Sequence, residues 1–105
     1  MKEFKVAVVG ATGLVGGTMI GALESMGFPV SQLIPLASPR SAGKTVSFRG
    51  QPYVVQAVSK EAFEGVDLAL FAAGGAASLQ WAPVAASLGA LVVDNSSAFR
   101  MEEDV

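Results

Sequence analysis

The sequence predicts an α/β fold, a doubly wound sheet of parallel strands with helices on both faces. Three observations predict it. Short apolar runs alternate with stretches of helical periodicity. The first run, residues 6–9, is apolar throughout and three of its four residues are β-branched. Such a run without alternation reads as a strand buried on both faces. Between that run and the first helical stretch, glycines recur at Gly10, Gly13 and Gly16.

The spacing is G-x-x-G-x-x-G, close to the dinucleotide-binding fingerprint G-x-G-x-x-G. A pyrophosphate needs free backbone N–H donors and room to reach them. A helix N-terminus supplies the donors and a partial positive charge. Gly10 and Gly13 carry no Cβ, so the turn can tighten and a phosphate can approach. Gly16 would let the helix sit close to the first strand, and Thr12 adds a hydroxyl near the helix start. The expectation is a Rossmann-type NAD(P)-binding domain.

The remaining elements follow in order. A helix is predicted from Gly13 or Leu14 to Met26, with Val15, Met19, Ile20, Leu23 and Met26 as its apolar face. Gly27 ends it and Pro29 prevents its resumption. Gly17 and Gly21 weaken it locally and are expected to permit close packing on the sheet. Residues 32–38 read as a second strand, short or irregular because Pro35 removes a ladder donor. A polar, turn-rich loop covers 38–44. Residues 45–49 and 53–58 form a hairpin around Gly50-Gln51-Pro52, and Ser59 caps a helical turn over 60–64 that Gly65 ends. Residues 67–73 are the next buried strand, running into Gly74-Gly75. A helix over 78–88 follows, with Leu79, Val84 and Leu88 apolar, Trp81 near its start and Pro83 in its first turns or at a kink. Residues 90–94 are the last strand.

With 105 residues the chain suffices for one small domain. No apolar run approaches the ~20 residues that span a bilayer, and the start shows no signal peptide, so a cytoplasmic protein without membrane association is expected. Cysteine and histidine are both absent. That removes disulfides, thiolate metal sites, a cysteine nucleophile and imidazole acid–base chemistry. The net charge of −2 gives no support to nucleic-acid binding. No acid occurs from Ser25 to Lys60, while that window holds Arg40, Lys44, Arg49 and Lys60. A basic window beside a phosphate-binding turn suits a phosphorylated ligand.

In such a sheet the first strand and the strand at 67–73 lie side by side at the switch point, with ligands beyond their C-terminal ends. The turn at 10–13 and the turn at 73–75 would then face one crevice. NAD sites place an Asp or Glu after the second strand to hold the ribose 2′-hydroxyl. Here Ser38 stands there, with Arg40 and Ser41 behind it and no acid in reach. A guanidinium pairs with a 2′-phosphate that a carboxylate would repel, so the expected cofactor is NADP.

Four motifs in order carry a family resemblance. They are Gly-Ala-Thr-Gly-x-Val-Gly at 10–16, Ala-Ser-x-Arg-Ser-Ala-Gly-Lys at 37–44, Phe-x-Ala-Gly-Gly at 71–75 and Val-Val-Asp-Asn-Ser-Ser-Ala-Phe-Arg-Met at 92–101. The chain resembles aspartate-semialdehyde dehydrogenase along nearly its whole length, and the last motif is the most specific. The resemblance implies an oxidoreductase that interconverts β-aspartyl phosphate and aspartate β-semialdehyde with NADPH, on the way to lysine, threonine, methionine and isoleucine. It implies Thr12, Gly13, Leu14 and Val15 at the cofactor diphosphate and Ser38, Arg40 and Ser41 at the 2′-phosphate. Gly74 and Gly75 would lie along the cofactor towards the nicotinamide. Asn95 and Ser97 would lie near cofactor or phosphate, and Arg100 would bind the substrate phosphate. Ala72 stands where the family often has Ser, at the cost of one cofactor hydrogen bond.

The family's cysteine nucleophile and acid–base histidine have no counterpart here. Residues 1–105 are therefore expected to be a dinucleotide-binding domain truncated before the catalytic domain, inactive alone, and part of a homodimer when intact. The small-molecule partners implied are the acyl phosphate, the semialdehyde and phosphate. Two alternatives stay open: a domain like that of N-acetyl-glutamyl-phosphate reductase, against which the 92–101 motif argues, and a non-catalytic NADP-binding paralogue.

Overall fold

The computed structural model describes residues 3–72 and 75–94. In chain order its elements are β1 (Phe4–Val9), α1 (Leu14–Met26), β2 (Val30–Ala37), β3 (Thr45–Phe48), β4 (Gln51–Val54), β5 (Gln56–Ala57), β6 (Leu68–Phe71), α2 (Gly75–Ser87) and β7 (Leu91–Asp94). Five strands make one parallel sheet in the order β5-β2-β1-β6-β7, and β3 and β4 form a separate antiparallel pair. This is the predicted doubly wound α/β architecture.

β1 is central because its residues are apolar on both faces. Val6 and Val8 pack with Ile20 and Leu23 of α1. Ala7 and Val9 pack with Phe63 and with Ala85 of α2. The hairpin adds Phe48 and Tyr53 to the α1 side. β1 and β6 are neighbours, Val9 opposite Phe71, as the switch-point reading expects.

Several local expectations need correction. β2 is neither short nor irregular around Pro35, and it runs through eight residues. The Leu36 carbonyl faces β1, where it accepts from the N–H groups of Gly10 and Ala11 at 2.8 and 3.1 Å. Successive strand residues alternate sides, so the Pro35 nitrogen points away from β1. On that side β5 pairs only with Leu36 and Ala37, so the proline removes no ladder bond.

The hairpin turn is Arg49-Gly50, not 50–52, since Phe48 pairs with Gln51. Both turn residues have left-handed φ, 55° and 77°, the two-residue geometry whose twist suits a hairpin. The run at 53–58 is divided. The Val55 N–H donates to the Lys44 carbonyl at 2.7 Å at the hairpin base, and Gln56-Ala57 turns away to join β2. The Ser59 cap is present, its hydroxyl accepting from the Ala62 N–H at 3.2 Å.

α1 buries a narrow stripe, Gly16, Ile20 and Leu23. Val15 (43% exposed) and Met26 (68%) lie off it. Gly17 and Gly21 do not serve close packing: a Cβ on either meets nothing within 4 Å. α2 begins at Gly75, three residues earlier than expected, which leaves Pro83 well inside it on the exposed side. Its inward stripe is Trp81, Ala85 and Leu88, and Leu79 (81% exposed) points elsewhere.

Candidate functional site

The site grows from the ends of three parallel strands. The Val9 carbonyl, at the end of β1, accepts from the Ala72 N–H at 2.8 Å. The Leu36 carbonyl binds the Gly10 and Ala11 amides from the other side. The C-terminal ends of β1, β2 and β6 are thereby tied together along one edge. Strand order reverses there, with β2 on one flank of β1 and β6 on the other. Ligands of open α/β sheets bind at such a point.

The three glycines of the turn have different duties. Gly10 has φ 87°, a conformation that side-chain-bearing residues resist. A Cβ on Gly16 would stand 2.1 Å from the Gly10 carbonyl oxygen and 2.9 Å from the Ala11 Cα, so α1 abuts the turn itself. Gly13 is unlike both. Its φ of −81° and ψ of 172° are open to any residue, and a Cβ there would make one ordinary contact at 3.5 Å. The fold does not require glycine at 13, and the bare backbone leaves room for a ligand.

Gly13 is also the N-cap of α1. No side chain caps it and no acid lies in the first turn. Thr12, Leu14 and Val15 are exposed around it, Leu14 to 89%. Uncapped first-turn amides, the positive end of the helix dipole and an open approach are the features that favour an anion at a helix N-terminus.

Beside it, β2 ends at Ala37 and the chain turns through Ser38 into a short 3-10 helix, Pro39–Ser41. The Ser41 N–H donates to the Ser38 carbonyl at 2.9 Å, and the Lys44 N–H to the Ser41 carbonyl at 3.3 Å. Ser38 and Arg40 are exposed and Ser41 is half-buried. Among the described residues no carboxylate engages Arg40. Arg49 does not join this site, contrary to what the basic window suggests. Its guanidinium donates to the carbonyls of Phe28 and Val30, and its backbone N–H donates to the Glu24 carboxylate.

A cavity of ≈ 330 Å³ opens between these elements. Val9 ends β1 and Gly10 follows it, Ala37 ends β2 with Ser38 and Pro39 after it, and Val58 follows β5. α2 contributes Ala77, Gln80 and Trp81. Gly10 of the glycine turn and Ala77, Gln80 and Trp81 of α2 thus line one crevice, while residues 73 and 74 of the second expected turn lie outside the described residues. Sequence reasoning singled out Ser38 and Gly10 but missed Pro39, Val58, Ala77, Gln80 and Trp81. The available signal was Trp81, the chain's one tryptophan, on a helix that starts at the switch point.

Gly75 opens α2. Gly74, Asn95, Ser97 and Arg100 lie outside the described residues. Among the described residues no group of three or more His, Cys, Asp or Glu could hold a metal ion, and no helix is long and apolar enough to cross a membrane.

The sequence model for the family described as semialdehyde dehydrogenase, NAD binding domain, matches residues 5–105. Aspartate-semialdehyde dehydrogenase of Aquifex aeolicus is 52% identical over 103 residues, which cover 97% of this chain and 30% of that protein. The crystal structure of aspartate semialdehyde dehydrogenase II from Vibrio cholerae, complexed with ASA, aligns with a TM-score of 0.88 at 48% identity, over 98% of this chain and 34% of that one. The Candida albicans enzyme with NADP aligns with a TM-score of 0.74 at 28% identity, over 94% of this chain and 31% of that one. The chain spans about a third of the length of these relatives. With residues 5–105 matched and half of its positions identical to such relatives, the chain belongs to the semialdehyde dehydrogenase family as an NAD-binding domain.

Proposed function

We propose that the chain is the NADP-binding portion of an aspartate-semialdehyde dehydrogenase. The full enzyme would reduce β-aspartyl phosphate to aspartate β-semialdehyde with release of phosphate, in the biosynthesis of lysine, threonine, methionine and isoleucine. One observation carries the cofactor reading. The open anion site at Gly13 lies beside a turn that presents Arg40 with no carboxylate at the end of β2.

In this reading the backbone at Thr12, Gly13, Leu14 and Val15 holds the diphosphate. Arg40, with the hydroxyls of Ser38 and Ser41, holds the 2′-phosphate by charge-assisted hydrogen bonds. Gly74 and Gly75 would lie along the cofactor towards the nicotinamide, Asn95 would contact the cofactor, and Ser97 and Arg100 would receive the substrate phosphate. The dihydronicotinamide, when bound, supplies the hydride. The chain has no Cys and no His, so the nucleophile and the acid–base group come from the remainder of a longer, homodimeric, cytoplasmic enzyme. The NADP complex of the Candida albicans relative supports the choice of cofactor.

Calorimetric titration of the chain with NADP and with NAD tests the reading. The expected result is tighter binding of NADP. Equal affinities would remove the basis for a 2′-phosphate site.

A further inference from the structure

We propose that two copies of the 105-residue chain pair through α1, each α1 lying along an apolar groove of the other copy. The proposal does not depend on the cofactor reading. It gives a place to Val15 and Met26, the apolar residues that lie off the buried stripe of α1.

The groove comes first. On the α1 side of the sheet, the hairpin and α1 pack over β2 and β1. Among the described residues no helix lies over β6 and β7 on that side. Leu68 pairs with Leu91 and Leu70 with Val93, and residues paired in a ladder share a face of the sheet. Leu91 is 67% exposed and Val93 43%. Between this bare strip and α1 opens a second cavity of ≈ 240 Å³, with Met19, Ala22, Met26, Leu68 and Leu70 in its lining.

α1 carries a matching seam. Val15, Met19, Ala22 and Met26 follow one another at steps of four, three and four residues, the spacing with which a helix packs lengthwise on another helix. The seam runs beside the buried stripe of Gly16, Ile20 and Leu23, and three of its residues line the groove. It holds no charge. Glu24, the one charged residue of α1, is turned to the hairpin, where its carboxylate accepts from the Arg49 N–H.

Seam and groove fit each other under a twofold axis that runs along the strands. A helix is about 10–12 Å wide and two neighbouring strands span about 10 Å, so the bare strip takes one helix. The rotation sets the two α1 helices side by side and parallel, each above the β6–β7 strip of the other copy. Met19, Ala22 and Met26 then meet their own counterparts, the self-complementary pattern of an isologous contact. With 13 residues α1 is about 20 Å long, so the shared face is roughly 20 × 20 Å per copy. That is less than the ~800 Å² per partner of a standard interface, and the dimer is expected to be weak and concentration-dependent.

Sedimentation equilibrium of the 105-residue chain over a concentration series tests the pairing, and a reversible monomer–dimer equilibrium is expected. Met26→Glu and Leu91→Glu, both at exposed positions, should weaken it on the order of 100-fold or more by burying unpaired charge. Leu79→Glu, at a still more exposed position on α2, should leave it unchanged. The chain has no cysteine, so Ala22→Cys introduces a single thiol. With diamide as oxidant, the two thiols facing each other across the axis should join and cross-link the dimer, whereas Leu79→Cys should give no cross-link. A monomer throughout, or association that does not stop at two copies, overturns the proposal and leaves the groove to a segment of a longer polypeptide. A dimer that Leu79→Glu weakens and Met26→Glu does not, or that Ala22→Cys fails to cross-link, overturns it as well. The wild-type series and the cross-link decide the matter even if a glutamate variant unfolds.

Discussion

The turn at 38–44 and the hairpin that follows it come from the same acid-free stretch, and each carries one arginine. Their arginines do opposite things. Arg49 is occupied by the protein: its guanidinium donates to the carbonyls of Phe28, before β2, and Val30, at its start, and lies 4.8 Å from the Phe48 ring centre. Its backbone N–H is held by Glu24 of α1. Arg40 stands on an exposed 3-10 turn with no such partners among the described residues. Charge composition marks the region, but only hydrogen-bond geometry separates the arginine that holds the fold from the one with no protein partner among the described residues. The glycines of the first turn divide in the same way, with Gly16 needed by the fold and Gly13 not.

The glycine contrast breaks under the largest expected effect. Gly16→Ala drives a methyl group into backbone, and about 3 kcal/mol of stability should be lost, at the upper end for overpacking. Gly13→Ala should leave the urea midpoint unchanged and weaken NADP. Equal midpoints for the two variants would erase the distinction. Next comes Arg40→Ala, expected to lose about 1.5–3 kcal/mol of NADP affinity, with NAD affinity and melting temperature unmoved. Arg49→Ala is its mirror. Stability should fall by about 1–2 kcal/mol as charged hydrogen bonds are lost, and the ratio of NADP to NAD affinity should stay constant in paired titrations. The smallest effect is a gain. Gly17→Ala places a methyl group in open space on a helix, and thermal melts should show up to ~1 kcal/mol of added stability.

Features encoded by adjacent residues were legible in the sequence. β1, its glycine turn, the start of α1 and the αL glycine at 27 are local signals, and all are present. The pairing of β1 with β6 followed from the alternation of strands and helices. Features that depend on which side of an element meets a neighbour were not legible. Pro35 is harmless only because its nitrogen faces the flank that β5 barely reaches. Val15 and Met26 fit a helical face, yet α1 meets the sheet along a narrower stripe. The cavity walls were hidden for the same reason, since Pro39, Val58 and Trp81 come from three separate segments of the chain. No spacing rule links them.

The middle position of β1 also has a consequence for the order of assembly. The first strand made is the one that ends up between two others. Ala7 pairs with Ile34 on one flank and with Ala69 on the other. The second closure spans a loop rather more than twice as long, which adds only about 0.6–0.8 kcal/mol of closure entropy. The larger delay is the wait for synthesis. At roughly 5–20 residues per second, the roughly 35 residues between the two partners take about 2–7 s to appear. Throughout that interval a nascent chain that has already zipped β1 to β2 holds the other edge of this apolar strand open. On the ribosome, this is the moment at which the domain is most exposed to mispairing and most in need of a chaperone.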